Sequence, residues 1–427
     1  MNKHIFCLLL SMFSIGAFMA SAQKSDSVYM GQYGPWKTEA SQPGMRVSLI
    51  TCGPGYDEVY EVFGHTAIRV IDSAEHTDMV YNYGTFNGFE ENFELKFMQG
   101  KLLYYLSVYP FKDFLPEYIE RRRSVTEQVL VMTDSQKKAF VSYLDWNAEP
   151  ENRAYKYDFF YDNCATRIRD LFPETMGKDF KFGKILPADS KVTFRDIIND
   201  YFYATKWERF GINILLGSRI DKVMTDKDIM FLPDYLLKGI EGATISNYPQ
   251  FTKGMETVAP ADRAPMSTNK IAEKPTTLLP GGPAKPNNLS GPLVLTWSIA
   301  VLTIGGLTIK RLRVLGKIMS LSLLLITGLL GILILVMWFA TNHQGCGNNF
   351  NILWCLPTNV IIAFGSMKRR SAYALVAMIF IFATILLHIF RIQQLIMVEF
   401  MPLLLALLYI YGTIYRNSKI NAAAANA

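Results

Sequence analysis

The sequence is poor in the two side chains that most often carry nucleophilic and metal chemistry. Among 427 residues there are five cysteines and five histidines. So few cysteines exclude a disulfide-stapled scaffold, and no group of His, Cys, Asp and Glu has the spacing of a metal site. A phosphate-binding glycine loop is also lacking. The net charge of +6 comes without a basic stripe interleaved with aromatics, so we expect no nucleic acid partner, no cofactor and no metal.

Apolar runs, by contrast, are long and divide the chain. A short basic start precedes an apolar stretch from Ile5 to Met19, and small residues occupy positions 20–22. This order predicts a secretory signal peptide over residues 1–22, with an uncleaved membrane anchor as the alternative. Either interpretation places residues 24–242 outside the cytoplasm.

The second half of the chain predicts an all-α membrane domain over residues 292–415. Five apolar segments have the length of membrane spans: 293–309, 318–340, about 352–366, 372–390 and 394–414. Pro357 interrupts the third. Residues 243–291, which join the two halves, are rich in proline and polar residues, a composition that predicts a disordered linker.

Basic residues cluster at 310–317, at 368–370 and in the tail 416–427. With five spans, all three clusters fall on one side, which the positive-inside rule assigns to the cytoplasm. The chain is therefore predicted to be a multi-pass protein of the cytoplasmic (inner) membrane with its N-terminal domain on the external, periplasmic side. This orientation, derived from the distribution of charge, agrees with the one that the signal peptide predicts independently.

Residues 24–242 predict an α+β domain. Alternating β-branched runs at 45–51, 65–71 and 79–83 predict strands, the last two joined as an antiparallel hairpin. Helical patterns follow, and one begins at Cys164. Asp162 and Asn163 before it are good N-cap residues. Because unpaired N–H groups and the helix dipole favour negative charge there, we expect a lowered thiol pKa and a nucleophile.

A nucleophilic cysteine needs a base, and His65 and His76 are the histidines of residues 24–242. His65 opens a strand beside a glycine, whereas His76 lies in a polar turn, so we favour His65. A third polar group should orient the imidazole. Asn82 is the favoured candidate, and Tyr83, on the opposite face of the strand, is the competing one.

Other polar residues supply further candidates. Asn163 and the backbone N–H of Cys164 are candidate oxyanion donors. Arg167, one turn along the helix, would stabilise a thiolate or form a surface salt bridge. The run Arg121 to Arg123 would contact lipid headgroups or form a solvated helix end. In the membrane domain, Glu399 is expected to pair with Arg391, and Cys346 and Cys355 form a small disulfide or stay free.

Three stretches together resemble a known family. They are Phe63 to Arg69, Tyr81 to Phe86, and Tyr157 to Asp170 with its Asn-Cys pair. The sequence resembles the lipoprotein intramolecular acyltransferases called Lnb and, more broadly, the circularly permuted papain-like enzymes that include the lecithin:retinol acyltransferase group. The resemblance covers most of residues 45–242, and the five-span tail is similar to an Lnb-like membrane domain. It implies a permuted papain-like fold.

The resemblance also implies a reaction. Cys164, assisted by His65, would take an acyl chain from the diacylglyceryl group of a lipoprotein as a thioester and pass it to the lipoprotein N-terminal amine. The implied partners are diacylglyceryl lipoproteins or phospholipid acyl donors, together with membrane lipids, and we expect a monomer. The alternatives are an envelope cysteine peptidase or amidase using the same pair, and a non-catalytic envelope component in which the pair has decayed.

Overall fold

The chain forms two compact units in the computed structural model, which describes residues 44–57, 59–245, 270–282, 291–364 and 370–425. The first, which we call the sheet unit, comprises the described residues of Met1–Lys191 and Met224–Lys285. The second, the helical unit, comprises those of Val192–Val223 and Pro286–Ala427. The predicted signal peptide lies outside the described residues.

The sheet unit is built on an antiparallel sheet of seven strands in the order β6-β4-β3-β2-β1-β5-β9. Two further strands, β7 and β8, pair with each other. In chain order the strands are β1 (Met45–Cys52), β2 (His65–Asp72), β3 (Thr77–Phe86), β4 (Leu103–Pro110), β5 (Val125–Val129), β6 (Ala154–Lys156), β7 (Phe180–Lys181), β8 (Thr244–Ile245) and β9 (Thr276–Leu279). The predicted hairpin is confirmed by the antiparallel pairing of β2 with β3.

Helices cover both faces of this sheet and make up the helical unit. In chain order the described α-helices are α1 (Phe93–Met98), α2 (Phe111–Glu120), α3 (Asp134–Ala148), α4 (Cys164–Met176), α5 (Phe194–Tyr201), α6 (Lys206–Leu215), α7 (Asp226–Ile229), α8 (Pro233–Glu241), α9 (Gly291–Thr308), α10 (Arg313–Phe339), α11 (Asn359–Ala363), α12 (Arg370–Ile389) and α13 (Met397–Ala425). An α+β domain followed by a helical membrane domain confirms the predicted fold class.

The two faces of the sheet bury different sets of side chains because successive strand residues point to opposite sides. Leu49 of β1 and Ile68 of β2 belong to the core shared with α3, α4 and α8, where Phe172 is fully buried. Ile50 and Ala67, one position along, belong to the core beneath α2. Each large apolar side chain buried in this way contributes about 1.5–3 kcal/mol, so both faces stabilise the sheet that carries His65.

The predicted disordered linker over residues 243–291 is wrong for residues 270–282. Ile271 and Ala272 are buried in the core of the sheet unit, and β9 pairs with β5 as an edge strand. The composition of this stretch did not reveal its order. A few apolar residues are enough to hold a segment in place when an existing strand edge supplies the hydrogen-bond partners for its backbone. The stretch is part of the sheet unit.

Four helical segments of the described chain are long and apolar enough to cross a membrane: Gly291–Thr308, Lys310–Phe339, Arg370–Ile389 and Met397–Ile420. The third predicted span, at about 352–366, differs from these. It contains a short 3₁₀ turn at Phe350–Leu353 and the five-residue helix α11. Pro357 between them has no amide hydrogen and cannot continue a helix.

This irregular segment nevertheless runs between opposite ends of the helical unit. Phe350 N donates to Gln393 Oε1 at 2.7 Å, and Gln393 Nε2 donates to Asn349 Oδ1 at 3.1 Å. The end of α12 therefore lies beside the start of the segment, and the beginning of α12 lies about 30 Å away along its axis. Irregular backbone at membrane depth is tolerated where protein surrounds it.

Glycines on α10 make room for this irregular backbone. A Cβ at Gly331 would lie 1.9 Å from the carbonyl oxygen of Cys355, so the two backbones touch. Asn359 of α11 donates to Thr327 at 3.0 Å and accepts from Tyr411 at 2.7 Å. Buried polar groups of the segment are thus paired within the unit, as a non-aqueous surrounding requires.

Residues 192–223 belong to the helical unit, whereas the sequence pattern predicted them within the extracytoplasmic domain. Asn349 Nδ2 donates to the carbonyl oxygens of Ile214 and Leu215, both at 2.9 Å. These carbonyls end α6, where the last backbone acceptors of a helix lack internal partners. The pairing spans more than a hundred residues of chain, which local sequence patterns do not reveal.

The expected pairing of Glu399 with Arg391 in this unit is wrong, and the open question of a Cys346–Cys355 disulfide is decided. Glu399 pairs with Arg209 of α6, whereas Arg391 lies 3.8 Å from Asp196. Cys346 and Cys355 are both buried, and no disulfide joins them.

Gly64 provides a stability test for the entry to β2. Its φ is +76°, and a Cβ there would lie 2.6 Å from the carbonyl oxygen of Cys52. We expect Gly64→Ala to lower the free energy of unfolding by about 2 kcal/mol or more, because backbone strain and a backbone clash add. The measurement is thermal unfolding of the full chain in detergent.

Gly44→Ala is the matched control for this test. Gly44 also has a positive φ, +117°, but no atom lies within 4 Å of the position that a Cβ would take there. Gly44→Ala should lower the free energy of unfolding by only about 1 kcal/mol, from backbone strain alone. Equal melting temperatures for the two variants would contradict the clash.

Candidate active site

Cys164 is the first residue of α4, and a reciprocal capping box fixes this start. Asn163 is the N-cap, its Oδ1 accepting from Thr166 N at 2.9 Å. Thr166 Oγ1 in turn accepts from Asn163 N at 2.7 Å. The predicted position of the thiol in the first helical turn is therefore found in the structure, and its local cause is the Asn-Cys-Ala-Thr sequence.

The side chain of Asn163 is fully used in holding this turn. Its Nδ2 donates to Phe159 O at 2.8 Å and to Phe231 O at 2.9 Å, and the residue is 4% exposed. An amide has two N–H donors, and both are occupied. The expectation that Asn163 donates to an oxyanion is therefore not supported by the geometry, which gives it a supporting role.

His65 begins β2 and is oriented by Asn82 from β3. The imidazole Nε2 lies 2.6 Å from Asn82 Oδ1, and Asn82 Nδ2 donates to Tyr109 Oη at 3.0 Å. Because Asn82 uses its amide hydrogen on Tyr109, its oxygen accepts from Nε2–H, which leaves Nδ1 as the acceptor nitrogen of the imidazole. Of the two candidates for the third residue, the geometry favours Asn82.

Tyr83 lies on the other face of β3, as strand alternation requires. Its hydroxyl donates to Asn147 Oδ1 at 2.6 Å within the core shared with α3 and α4. The structure therefore separates Tyr83 from the pair and gives it a packing role.

Gly84 lies next to both the His65 imidazole and the Cys164 side chain. A Cβ built on Gly84 would lie 3.8 Å from His65 Cε1 and 4.0 Å from Cys164 Cβ. His65 and Cys164 are 99 positions apart in the chain, and their side chains flank the same glycine. Both are half-buried. The arrangement joins a thiol, an imidazole and an orienting amide, the constellation of thiol-based acyl transfer.

The electrostatics of the thiol differ from the expectation for a helix start. Burial raises the pKa of Cys164 to about 11, although the backbone N–H groups of Thr66, Ala165 and Cys164 oppose this rise. Burial likewise lowers the pKa of His65 to about 4, and the hydrogen bond that His65 donates to Asn82 opposes this fall. The pair therefore rests as a neutral thiol and a neutral imidazole at pH 7, and desolvation outweighs the helix terminus.

The cation nearest in sequence is not the one that acts on the thiol. Arg167 Nη2 donates to Asp162 Oδ2 at 2.7 Å, and its guanidinium carbon lies 4.2 Å from the centre of the Tyr155 ring. Arg123, 4% exposed, is instead the side chain whose charge lowers the pKa of Cys164. Sequence reasoning assigned Arg123 to lipid headgroups or a solvated helix end, which its burial contradicts. It missed the Thr66 N–H, because that group comes from β2 and not from the helix of Cys164.

The fold and the site together define an α+β domain with a cysteine, histidine and asparagine constellation, followed by apolar helices able to cross a membrane. Residues 33–199 match the family model for the Lnb N-terminal periplasmic domain, and residues 284–420 match that for the Lnb transmembrane domain. The chain therefore belongs to the Lnb family, and the resemblance noted in the sequence is confirmed. It is a membrane protein with an extracytoplasmic domain. No curated protein and no solved structure matches the chain.

The raised thiol pKa predicts the pH dependence of Cys164 alkylation. A pKa above its ordinary value means that the thiolate is scarce at pH 7 and increases as pH rises toward 11. We expect the rate with iodoacetamide to rise about tenfold per pH unit from 7 to 10. Subtracting the labelling measured for Cys164→Ala removes the contribution of the other thiols. A rate that levels off below pH 8 would instead indicate a low-pKa thiolate.

Asn82 and Tyr83 offer a paired test of the third residue. Asn82→Ala removes the acceptor of His65 Nε2–H, so the imidazole loses its orientation, and we expect turnover to fall about 10- to 100-fold. Tyr83→Phe removes only a hydroxyl bound to Asn147, so it should lower the melting temperature with little effect on turnover. If Tyr83→Phe lowered turnover and Asn82→Ala did not, Asn82 would be excluded as the residue that orients His65.

Proposed function

We propose that this protein is a lipoprotein N-acyltransferase of the cytoplasmic membrane. It would move an acyl chain from the diacylglyceryl group of a lipoprotein to the amine of the lipoprotein N-terminal cysteine, through a thioester on Cys164. The observation that carries the proposal is the Cys164, His65 and Asn82 arrangement within a chain that has both Lnb domains. Family membership supports a role in lipoprotein processing, and the site supports acyl transfer.

In the first step His65 Nδ1 takes the proton of the Cys164 thiol as the sulfur attacks the ester carbonyl carbon. A low pKa keeps His65 in the free-base form that this role needs at pH 7. The tetrahedral intermediate collapses by breaking the bond to the ester oxygen, which leaves as an alcohol with the proton from His65. An acyl chain then remains on Cys164 as a thioester.

In the second step the lipoprotein α-amine attacks the thioester carbon and gives its proton to His65. The carbon–sulfur bond breaks, the sulfur leaves as a thiolate and recovers the proton, and the products are an amide and a free thiol. Both tetrahedral intermediates carry an oxyanion, which needs N–H donors. The backbone N–H groups of Thr66, Ala165 and Cys164, which already face the sulfur, are the candidate donors.

The proposed substrate is a diacylglyceryl lipoprotein held in the outer leaflet, with phospholipid as the other acyl source of the same ester chemistry. Apolar helices at Gly291–Thr308 and three further segments tether the chain to a membrane, where both substrates reside. A wall peptidase or amidase would use the same pair on soluble or wall-bound amides, which require no membrane domain of this size. We propose a monomer oriented with the catalytic domain outside.

Mass spectrometry of a lipoprotein N-terminal peptide tests the function directly. Cells lacking other lipoprotein acyltransferases would carry the wild-type chain, Cys164→Ala, or Cys52→Ala as the matched loss of a thiol. We expect N-acylated cysteine with the wild type and Cys52→Ala, and an unmodified amine with Cys164→Ala. The glyceryl acyl count separates the donors, since an intramolecular transfer removes one glyceryl acyl chain and a phospholipid donor leaves both.

A thioester trap completes the test. Purified protein incubated with the lipid ester should gain an acyl chain on Cys164 that neutral hydroxylamine releases. Identical peptides from the wild type and Cys164→Ala, with no acyl-enzyme, would reject the acyltransferase and leave the peptidase or amidase as the better interpretation.

A further inference from the structure

Arg123 is a buried cation beside the candidate active site that the reaction scheme does not use. Helix α2 ends in a left-handed residue, Arg122, with φ of +51°. Arg123 N donates to Tyr118 O at 2.8 Å, which closes the helix end in the manner of a Schellman turn. After this turn Arg122 is exposed and Arg123 is buried, so two adjacent arginines have different environments.

The guanidinium of Arg123 is held on three sides. Its Nε donates to Gly53 O at 2.9 Å, its Nη1 lies 3.5 Å from Glu61 Oε1, and its carbon lies 5.0 Å from the centre of the Tyr118 ring. Its Nη2 has no hydrogen-bond partner among the described residues. A buried cationic N–H without a partner is costly, so it is expected to serve an anionic charge that the resting structure lacks.

The anchor of Arg123 adjoins the catalytic pair. Gly53 directly follows Cys52, and Cys52 is the cross-strand partner of His65 in the β1–β2 register. Burial is the main cause of both pKa shifts, and the charge of Arg123 opposes the rise at Cys164 and adds to the fall at His65. Both effects of the Arg123 charge favour a thiolate beside a neutral imidazole.

Other charged and titratable groups face Arg123 from each neighbouring element. Glu61 comes from the 3₁₀ turn before β2 and is also paired with Arg121. Glu117 and Tyr118 come from α2, and Cys52 comes from β1. Glu61 is the carboxylate that forms an ion pair with Arg123, so its charge partly cancels that of the guanidinium.

We propose that Arg123 is a positioning residue for the Cys164–His65 pair. Its guanidinium, anchored on Gly53 and Glu61, stabilises the negative charge that forms on the Cys164 sulfur when the thiol proton passes to His65. The guanidinium keeps its own protons throughout. The proposal deepens the proposed function and rests on Cys164 being its nucleophile.

The test is the iodoacetamide reaction of Cys164 in the full chain across pH 7–10, with Cys164→Ala as the background. Arg123→Gln should react about tenfold more slowly at each pH, because loss of a nearby positive charge raises the thiol pKa further and leaves less thiolate. Arg123→Lys, which keeps the charge, should stay within about threefold of the wild type. Arg122→Gln, the same change on the more exposed neighbour, should leave the rate unchanged.

A variant expected to change the alkylation rate in the opposite direction separates an electrostatic effect from damage to the fold. Glu61→Gln removes the counter-charge of Arg123, so it should accelerate alkylation by about threefold or more. General loss of packing would not produce opposite effects from two neighbouring substitutions. If Arg123→Gln does not fold, Glu61→Gln decides alone, and a rate equal to or below the wild type overturns the proposal.

Two other results would also overturn it: a wild-type rate for Arg123→Gln, or a rate for Arg123→Lys as low as that for Arg123→Gln. Alkylation requires no lipoprotein, so this test is separate from that of the proposed function. Absence of N-acylated lipoprotein with the expected alkylation series would reject the acyltransferase and leave the role of Arg123 intact.

Discussion

The hydrogen bonds of Asn163 are the constraint on which the site depends. Its amide joins three pieces of chain: it caps α4 through Thr166, and it donates to the carbonyls of Phe159 and Phe231. These bonds fix where the helix begins and therefore where the Cys164 sulfur lies. The same bonds consume both amide hydrogens, so the residue that positions the Cys164 thiol has no amide hydrogen left for an oxyanion. In the proposed reaction, backbone N–H groups would stabilise that charge.

A second consequence concerns the charge state of the pair. A helix terminus favours a thiolate, and burial disfavours it; here burial prevails and raises the pKa of Cys164 to about 11. In the reaction proposed above, a neutral thiol beside a free-base imidazole would meet a lipid ester in surroundings of low polarity. The charge would then form only during reaction, where we propose that the Arg123 guanidinium stabilises it. Pre-set donors of this kind need no reorganisation in the transition state.

The helical unit satisfies a related constraint with different residues. Backbone polar groups inside a membrane-sized bundle need partners within the protein. Asn349 provides them for the end of α6. In the irregular segment that contains Pro357, the side chain of Asn359 pairs with the side chains of Thr327 and Tyr411. These amides explain how a segment without a span-length helix can run from one end of the unit to the other. They also tie residues 192–223 to this unit rather than to the sheet unit.

The sequence by itself determined the features that depend on neighbouring residues or on composition. The capping residues placed Cys164 at a helix start, alternation placed His65 and Asn82 on strands, and apolar length identified the membrane helices. Only the tertiary structure decided which groups meet the thiol. The Thr66 N–H contacts it, and the charge of Arg123 acts on it, from elements distant in the chain. The direction of its pKa shift depends on how deeply the assembled fold buries it. Local patterns carry propensity, whereas burial and long-range contact exist only once the elements have packed together.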